Sequence, residues 1–410
     1  MSTGLRAQHV AVLENARQRG QITLDETDTQ MLADLARWHI RQTKRAGITE
    51  SNHGLFQLAG LALLCRSFAE NRNCRGMDGF IRREFSALMA GQFTEEGVHK
   101  EHSPDYHMFM MRAIERMGAL QPYFVDVDMQ AVEKIAPWLV FPNGKVARIG
   151  DSERANKPLA KDPEPSCISG DQCFAVGDFT ASGYAIIRDL PSAEPDSMLF
   201  VTGMAHSGVH RHADALSFEL FEDGRFIFID GGKYGYDDTA KRRYVLTSDA
   251  HNTIGLGGEP IAPRFYSEPG SYLEPILSTP DGFKVSGEVE VENRFKLKRD
   301  FTYHPGKSLH IRDTLSADRP QPYVSQLLLA PDLKPQLISN GFRVDLGDRH
   351  LTARLESKAC KIDIAKGQTS PFLGWYSPSY QRMEPVSAIR ATCPGKDREI
   401  IWDMSFETPS

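Results

Sequence analysis

The chain of 410 residues has little cysteine, no long apolar run and no excess of positive charge. Its six cysteines, Cys65, Cys74, Cys167, Cys173, Cys360 and Cys393, are too sparse for a disulfide scaffold and lack zinc-ribbon spacing. Free thiols are therefore expected, with Cys167 and Cys173 the one pair close enough in sequence to differ. No apolar run approaches the ~20 residues of a membrane helix, so no membrane partner is expected. A formal net charge of −6 leaves no general basic face, which argues against a nucleic-acid partner. The opening "MSTGLRAQHV" has neither a basic nor an apolar leader region. A cytoplasmic location is the default expectation, and a periplasmic or secreted one follows if the N-terminus is processed or truncated.

At this length two domains are expected, and the chain changes character near residue 140. Before it, segments such as "DETDTQMLADLARWHIRQTKRAG" and "LFQLAGLALLCRSFAE" space apolar residues by three and four, with little glycine or proline inside them. About six helices are predicted, near 5–19, 25–46, 53–71, 75–91, 104–118 and 127–137. Residues 141–171 are rich in proline, glycine and charge and read as a linker. From 172 the period becomes two: "GYAIIRD", "SMLFVTGM", "LSFELF", "RFIFIDGG" and "GFKVSGEVEVEN" are short apolar runs separated by turn residues. The organisation predicted is helical over 1–140, linker over 141–171 and antiparallel β-sandwich over 172–410, an α+β chain in two domains.

Chemistry-bearing residues concentrate in two places. "HSGVHRHADALSFELFEDGRFIFIDGG" begins at His206 and holds three histidines and an aspartate within nine residues. Asp223-Gly224 should close a two-residue hairpin, since both turn positions require positive φ. Pairing outward from that turn sets Asp230 opposite Ser217, about five residues or roughly 16 Å from His212 along a straight strand. A ligand shared by His212 and Asp230 therefore requires the chain before Ser217 to bend or bulge. The second concentration lies in the helical half. Ser51 or Asn52 is suited to cap a helix beginning near "NHGLFQLAG", which leaves His53 unexplained. In "GVHKEHSPDYHMFMM", Ser103-Pro104 is a helix start that puts Tyr106 and His107 in the first turn.

The blocks "NHGLFQLAGLALL", "GVHKEHSPDYH", "HSGVHRHADALSFELF", "FIDGGKYGYDD" and "DAHNTIGLGG" occur in one order over residues 52–258, and together they resemble the heparinase II/III-like polysaccharide lyases, related to heparin lyases II and III and oligoalginate lyases. The resemblance implies an α/α toroid, incomplete here because only about six helices are readable, followed by a large antiparallel β-sandwich. It implies β-elimination on a uronic-acid-containing polysaccharide. Asn52 and His53 would neutralise the carboxylate, Tyr106 would be the general acid, and His210 or Tyr106 the base. His titrates near neutral pH, which suits a base. His212, Asp230 and His251 would hold a structural Zn²⁺ or similar transition ion, a nitrogen-rich set unsuited to Ca²⁺. Gln57, Glu101, His107, Tyr234 and Arg243 are the candidate sugar contacts.

Two alternatives stand beside the lyase: a glycoside hydrolase drawing its carboxylates from Glu95, Glu96, Glu101 and Asp105, or a non-catalytic polysaccharide-binding or assembly protein. A shortened toroid would expose an apolar flank that a second subunit could cover, so a homo-oligomer is expected.

Overall fold

The computed structural model describes residues 2–126, 128–153, 166–169, 172–189, 196–203, 206–292, 294–357, 359–395 and 399–408. The chain divides into two compact units, Met1–His99 with His107–Lys134, and Lys100–Tyr106 with Ile135–Ser410.

Among the described residues before 140 the α-helices are α1 (Ser2–Gln18), α2 (Glu26–Ala46), α3 (Asn52–Ser67), α4 (Met77–Gln92), α5 (Pro104–Arg116) and α6 (Met129–Ile135), which matches the number and order expected from apolar spacing. Their ends follow local chemistry. Asp25 caps α2 by accepting the Asp28 N–H, and Ser51 caps α3 by accepting the His53 N–H. Helix α3 buries Leu55, Leu58, Leu61 and Leu64, residues from more than one face, so it lies at the centre of the first unit. Helix α1 packs on it closely because Gly4 and Gly60 carry no Cβ; one built on Gly4 would sit 2.4 Å from the Phe56 carbonyl carbon.

The second unit is antiparallel β. Its first sheet is a meander, β1 (Ser166–Ser169), β2 (Gln172–Phe179), β3 (Tyr184–Asp189), β4 (Met198–Thr202), β5 (Phe218–Glu222) and β6 (Arg225–Phe228). Asp223 at φ 53° and Gly224 at φ 71° close the β5–β6 hairpin, as the Asp-Gly dipeptide predicts. Among the described residues a nine-stranded sheet is drawn from Tyr266–Glu407, and a four-stranded sheet joins Lys361–Lys366, Ser387–Cys393, Tyr323–Leu328 and Ile254–Leu256. Strand Phe295–His304 alternates buried with less buried residues along its length, whereas β4 and β5 are buried throughout. One continuous core takes Phe218 and Phe228 from the first sheet, Phe301, Ile311 and Trp402 from the second, and Leu327 and Ile389 from the third.

Two expectations are corrected. Residues 146–149, 151 and 152 are buried in the second unit, so the start of the expected linker at 141–171 is core; residues 154–165, 170 and 171 lie outside the described residues. Arg148 and Asp151 there make buried polar contacts, and Gly144 at φ 75° closes a tight turn. The cysteines are not all free thiols: Cys65 is bonded to Cys74 and Cys360 to Cys393. Sequence separations of 9 and 33 residues gave no hint that the Cα atoms would lie 5.4 and 4.1 Å apart. Cys167 and Cys173 are opposite each other in the β1–β2 register.

Candidate active site

The polar stretch that begins at His206 bends before it becomes a strand. Ser217 N–H donates to the Asp214 carbonyl at 2.9 Å and Leu216 takes φ 58°, which closes a turn immediately ahead of β5. The β5–β6 ladder also shifts register between Leu220 and Phe221. The turn before Ser217, and not the register shift, ends the straight strand, and His212, Asp230 and His251 each offer a ligand atom within 4.8 Å of the others, all three buried.

The hydrogen bonds around this trio fit a transition ion. His251 Nε2 lies 3.0 Å from the Val245 carbonyl, leaving Nδ1 toward Asp230 Oδ2 at 2.6 Å. His212 Nε2 lies 2.8 Å from Asp151 Oδ1, while its Nδ1 is buried without a hydrogen-bond partner. Each imidazole thus has one nitrogen on an acceptor, and His212 keeps Nδ1 unengaged, the arrangement that orients metal-bound histidines. Asp230 is itself fixed, its N–H on Glu219 Oε1 and its Oδ1 accepting the Gly232 N–H. Burial lowers the His251 pKa, but the Asp230 carboxylate outweighs it and the net direction is upward.

Beside this trio lies a second cluster. The Tyr106 ring stacks on His210 with centroids 3.7 Å apart and planes at 22°. The Tyr106 hydroxyl is 2.9 Å from that of Tyr236, over whose ring Lys233 and Arg242 sit, each 5.5 Å away. His210 Nδ1 is 2.8 Å from Asp151 Oδ2 and its Nε2 is 3.4 Å from Glu101 Oε2. Ser103 Oγ accepts the Tyr106 N–H, so the expected helix start positions the tyrosine. His210 adopts φ 59°, a left-handed conformation costly for a residue with a Cβ. Gly150 helps hold it there: a Cβ on Gly150 would sit 2.6 Å from the His210 carbonyl oxygen and 2.3 Å from that of His102. Burial would raise the Asp151 pKa, but hydrogen bonds with His210, His212 and Arg242 outweigh it and hold the carboxyl far below its usual range. Burial, with the Tyr106 hydroxyl bond, pushes the Tyr236 phenol well up, so it stays protonated. Burial also raises Glu101, partly offset by His210.

The remaining candidates separate. Asn52 and His53 form the first turn of α3, Asn52 half-buried and His53 exposed. A Cβ on Gly54, the next residue, would lie 2.2 Å from the Thr49 carbonyl oxygen, which accounts for the glycine in "NHG". Gln57 accepts from the Thr49 N–H and hydroxyl, a loop clasp. His107 is not a sugar contact: it is buried, its Nε2 3.0 Å from the Val132 carbonyl, and burial pushes its pKa down to about 4. Arg243 is exposed and pairs with Asp238 at 2.6 Å, while its neighbour Arg242 reaches Asp151. Tyr234 takes φ 62° beneath Lys241. Of the carboxylates considered for a hydrolase, Asp105 accepts the Glu153 N–H at 2.7 Å and Glu95 is exposed in the first unit.

Sequence reasoning missed Asp151, Arg242 and Tyr236. Asp151 lay in the segment read as linker. Arg242 and Arg243 are adjacent, and only their phase on a short helix, Ala240–Leu246, tells them apart. Tyr236 stood in a quoted block beside Tyr234, with no spacing to favour it.

The heparinase II/III-like, C-terminal family profile matches residues 174–403. Solved structures similar in fold include a heparinase III (14% identity, TM-score 0.77, covering 100% of this chain and 69% of that one). A heparinase III gene product is similar at 14% identity and TM-score 0.75, covering 93% and 62%. Heparan sulfate lyase HepC from Pedobacter heparinus is similar at 13% identity and TM-score 0.72, covering 93% and 63%. This chain therefore spans less than two thirds of the length of the last two. No curated protein sequence matches it.

Proposed function

Because the chain belongs to the heparinase II/III-like family, we propose that it is a polysaccharide lyase acting on a uronic-acid-containing polysaccharide by β-elimination. The observation that carries this reading is the stack of Tyr106 on His210, with His210 Nδ1 on Asp151. An ionised Asp151 can only accept, so His210 carries its proton on Nδ1, and its Nε2, 3.4 Å from Glu101 Oε2, keeps the lone pair that can act as a base.

In the reaction, the base takes the proton from the carbon beside the uronate carboxylate. A carbon–carbon double bond forms as the glycosidic carbon–oxygen bond breaks, and the departing oxygen takes a proton from Tyr106. Tyr236, held protonated, donates to the Tyr106 oxygen as that proton leaves, which supports the phenolate left behind. Arg242 and Lys233 add positive charge near both phenols. Carboxylate neutralisation is the role the resemblance assigns to Asn52 and His53, and Tyr106 would itself be the base where the proton lies on its side. Tyr234, Gln57 and Arg243 keep the weaker role of sugar contacts.

His212, Asp230 and His251 would hold Zn²⁺ or a similar ion, which when bound supplies a rigid cross-link and charge neutralisation among buried carboxylates. Elemental analysis of protein prepared without chelator should find about one ion per chain, lost in His212→Ala. The two disulfides favour an oxidising compartment, periplasmic or extracellular, over the cytoplasmic default. The expected homo-oligomer would use the exposed α2 stripe of Met31, Leu35 and Trp38; a Trp38→Glu variant sedimenting like the native chain would remove that assignment.

The test of the activity is incubation with a panel of uronate polysaccharides. The expected product has a new ultraviolet-absorbing unsaturated uronate at its non-reducing end. Saturated products carrying solvent oxygen would establish a hydrolase, and tight binding without cleavage would establish a binding protein.

A further inference from the structure

We propose that Asp151 is a positioning residue that sets the tautomers of two histidines at once, making His210 available as a base and His212 as a metal ligand. The first half rests on the lyase reading; the second does not.

Asp151 is 1% exposed and uses both carboxylate oxygens. Oδ2 lies 2.8 Å from His210 Nδ1, and Oδ1 lies 2.8 Å from His212 Nε2. Arg242 closes the far side as a fork, Nη1 to Oδ1 at 2.5 Å and Nη2 to Oδ2 at 3.0 Å. The guanidinium keeps the carboxylate ionised and fixes its plane. An ionised carboxylate has no proton to give, so both imidazoles must place theirs on it. The consequence is opposite at the two rings: His210 is left with a lone pair on Nε2, and His212 with one on Nδ1. The His212 Nδ1 is the buried atom without a partner, the one positioned to complete the set with Asp230 and His251. The backbone holds the bracket shut, since Asp151 N–H donates to the His210 carbonyl at 3.0 Å.

An amide in place of this carboxylate cannot do both jobs. The side chain introduced by Asp151→Asn would have one accepting oxygen and one donating nitrogen, so it could serve one imidazole and would force the other to the wrong tautomer. With zinc bound, the ion should claim the oxygen for His212, and the base would be lost. Zinc affinity, read by competition with a chromophoric chelator, should fall ~10–100-fold. In the zinc-saturated variant kcat should fall ~10²-fold or more while KM moves by less than about threefold. Nitrogen-15 resonances of the rings should report His210 protonated on Nδ1 in the native chain and on Nε2 in the zinc-bound variant. Asp151→Glu should recover part of both losses.

An Asp151→Asn chain that keeps its zinc affinity and its native His210 tautomer overturns the inference. If that variant does not fold, the native chain decides: His210 must be protonated on Nδ1 and His212 on Nε2, and the opposite tautomer at either ring overturns it. If the native chain cleaves no uronate polysaccharide, the lyase reading fails, while the ring resonances and zinc affinity still test the role of Asp151.

Discussion

Three buried histidines of the first unit and four histidines of the second differ in what they meet. In the first, His99 Nε2 meets the Gln92 amide oxygen and His107 Nε2 a backbone carbonyl, both neutral acceptors. His39 and His107 are both shifted downward, chiefly by burial. In the second, His102 lies 3.3 Å from Asp214, His210 and His212 each 2.8 Å from Asp151, and His251 2.6 Å from Asp230. A buried imidazole beside a neutral acceptor stays neutral and acts as a packing group with one hydrogen bond. Beside a carboxylate it is fixed in one tautomer, or stabilised as a cation, and its other nitrogen can do chemistry. The partner, not the histidine, marks the site.

The largest effect expected from this contrast is on turnover. Tyr106→Phe removes only a hydroxyl and should lower kcat ~10²–10⁴-fold with binding nearly unchanged, and His210→Ala should do similar damage on substrates whose proton lies on its side. His107→Gln, next in sequence to Tyr106 but facing Val132, should leave steady-state kinetics unchanged. Full activity in Tyr106→Phe would break the comparison at its catalytic end.

Next are the Cys65–Cys74 bond in the first unit and the Cys360–Cys393 bond in the second. Replacing Cys360 and Cys393 by serine opens the longer loop and should cost about 4 kcal/mol, against about 3 for Cys65 and Cys74, if chain entropy governs. Denaturant unfolding of the two double variants gives the order, and the reverse order would mean that packing around the thiols dominates.

A comparable change is expected from pH. The folded His107 pKa of about 4 lies below the ordinary value of 6.5. The unfolded chain therefore binds a proton that the folded chain refuses. Stability from His107 is complete above about 6.5 and declines as pH falls toward 4, by roughly 3 kcal/mol in all. Urea unfolding across that window should show the slope in the native chain and its loss in His107→Gln. An unchanged slope would mean that His107 is not the group excluded.

The smallest effect separates adjacent arginines. Arg243→Ala removes an exposed pair and should change unfolding free energy by less than ~1 kcal/mol. Arg242→Ala uncovers the buried Asp151 and should be several times more damaging, which thermal melting of the two variants compares directly.

Much of this was legible in the amino-acid order because it depends on local rules. Spacing by three and four located the six helices, Ser51 and Ser103 their starts, and Asp223-Gly224 the hairpin turn. The quoted blocks were enough to assign the family, and they named Tyr106, His210, His212, Asp230 and His251. What the tertiary structure alone decided are the pairings between residues far apart in the chain. Asp151 meets His210 across 59 positions and Arg242 across 91, and Cys360 reaches Cys393 across 33. Periodicity sees which residues share a face of one element. It cannot see which element comes next to it, because that is settled by how the whole core packs, by turns such as Asp214–Ser217 and by close approaches such as Gly150 on His210.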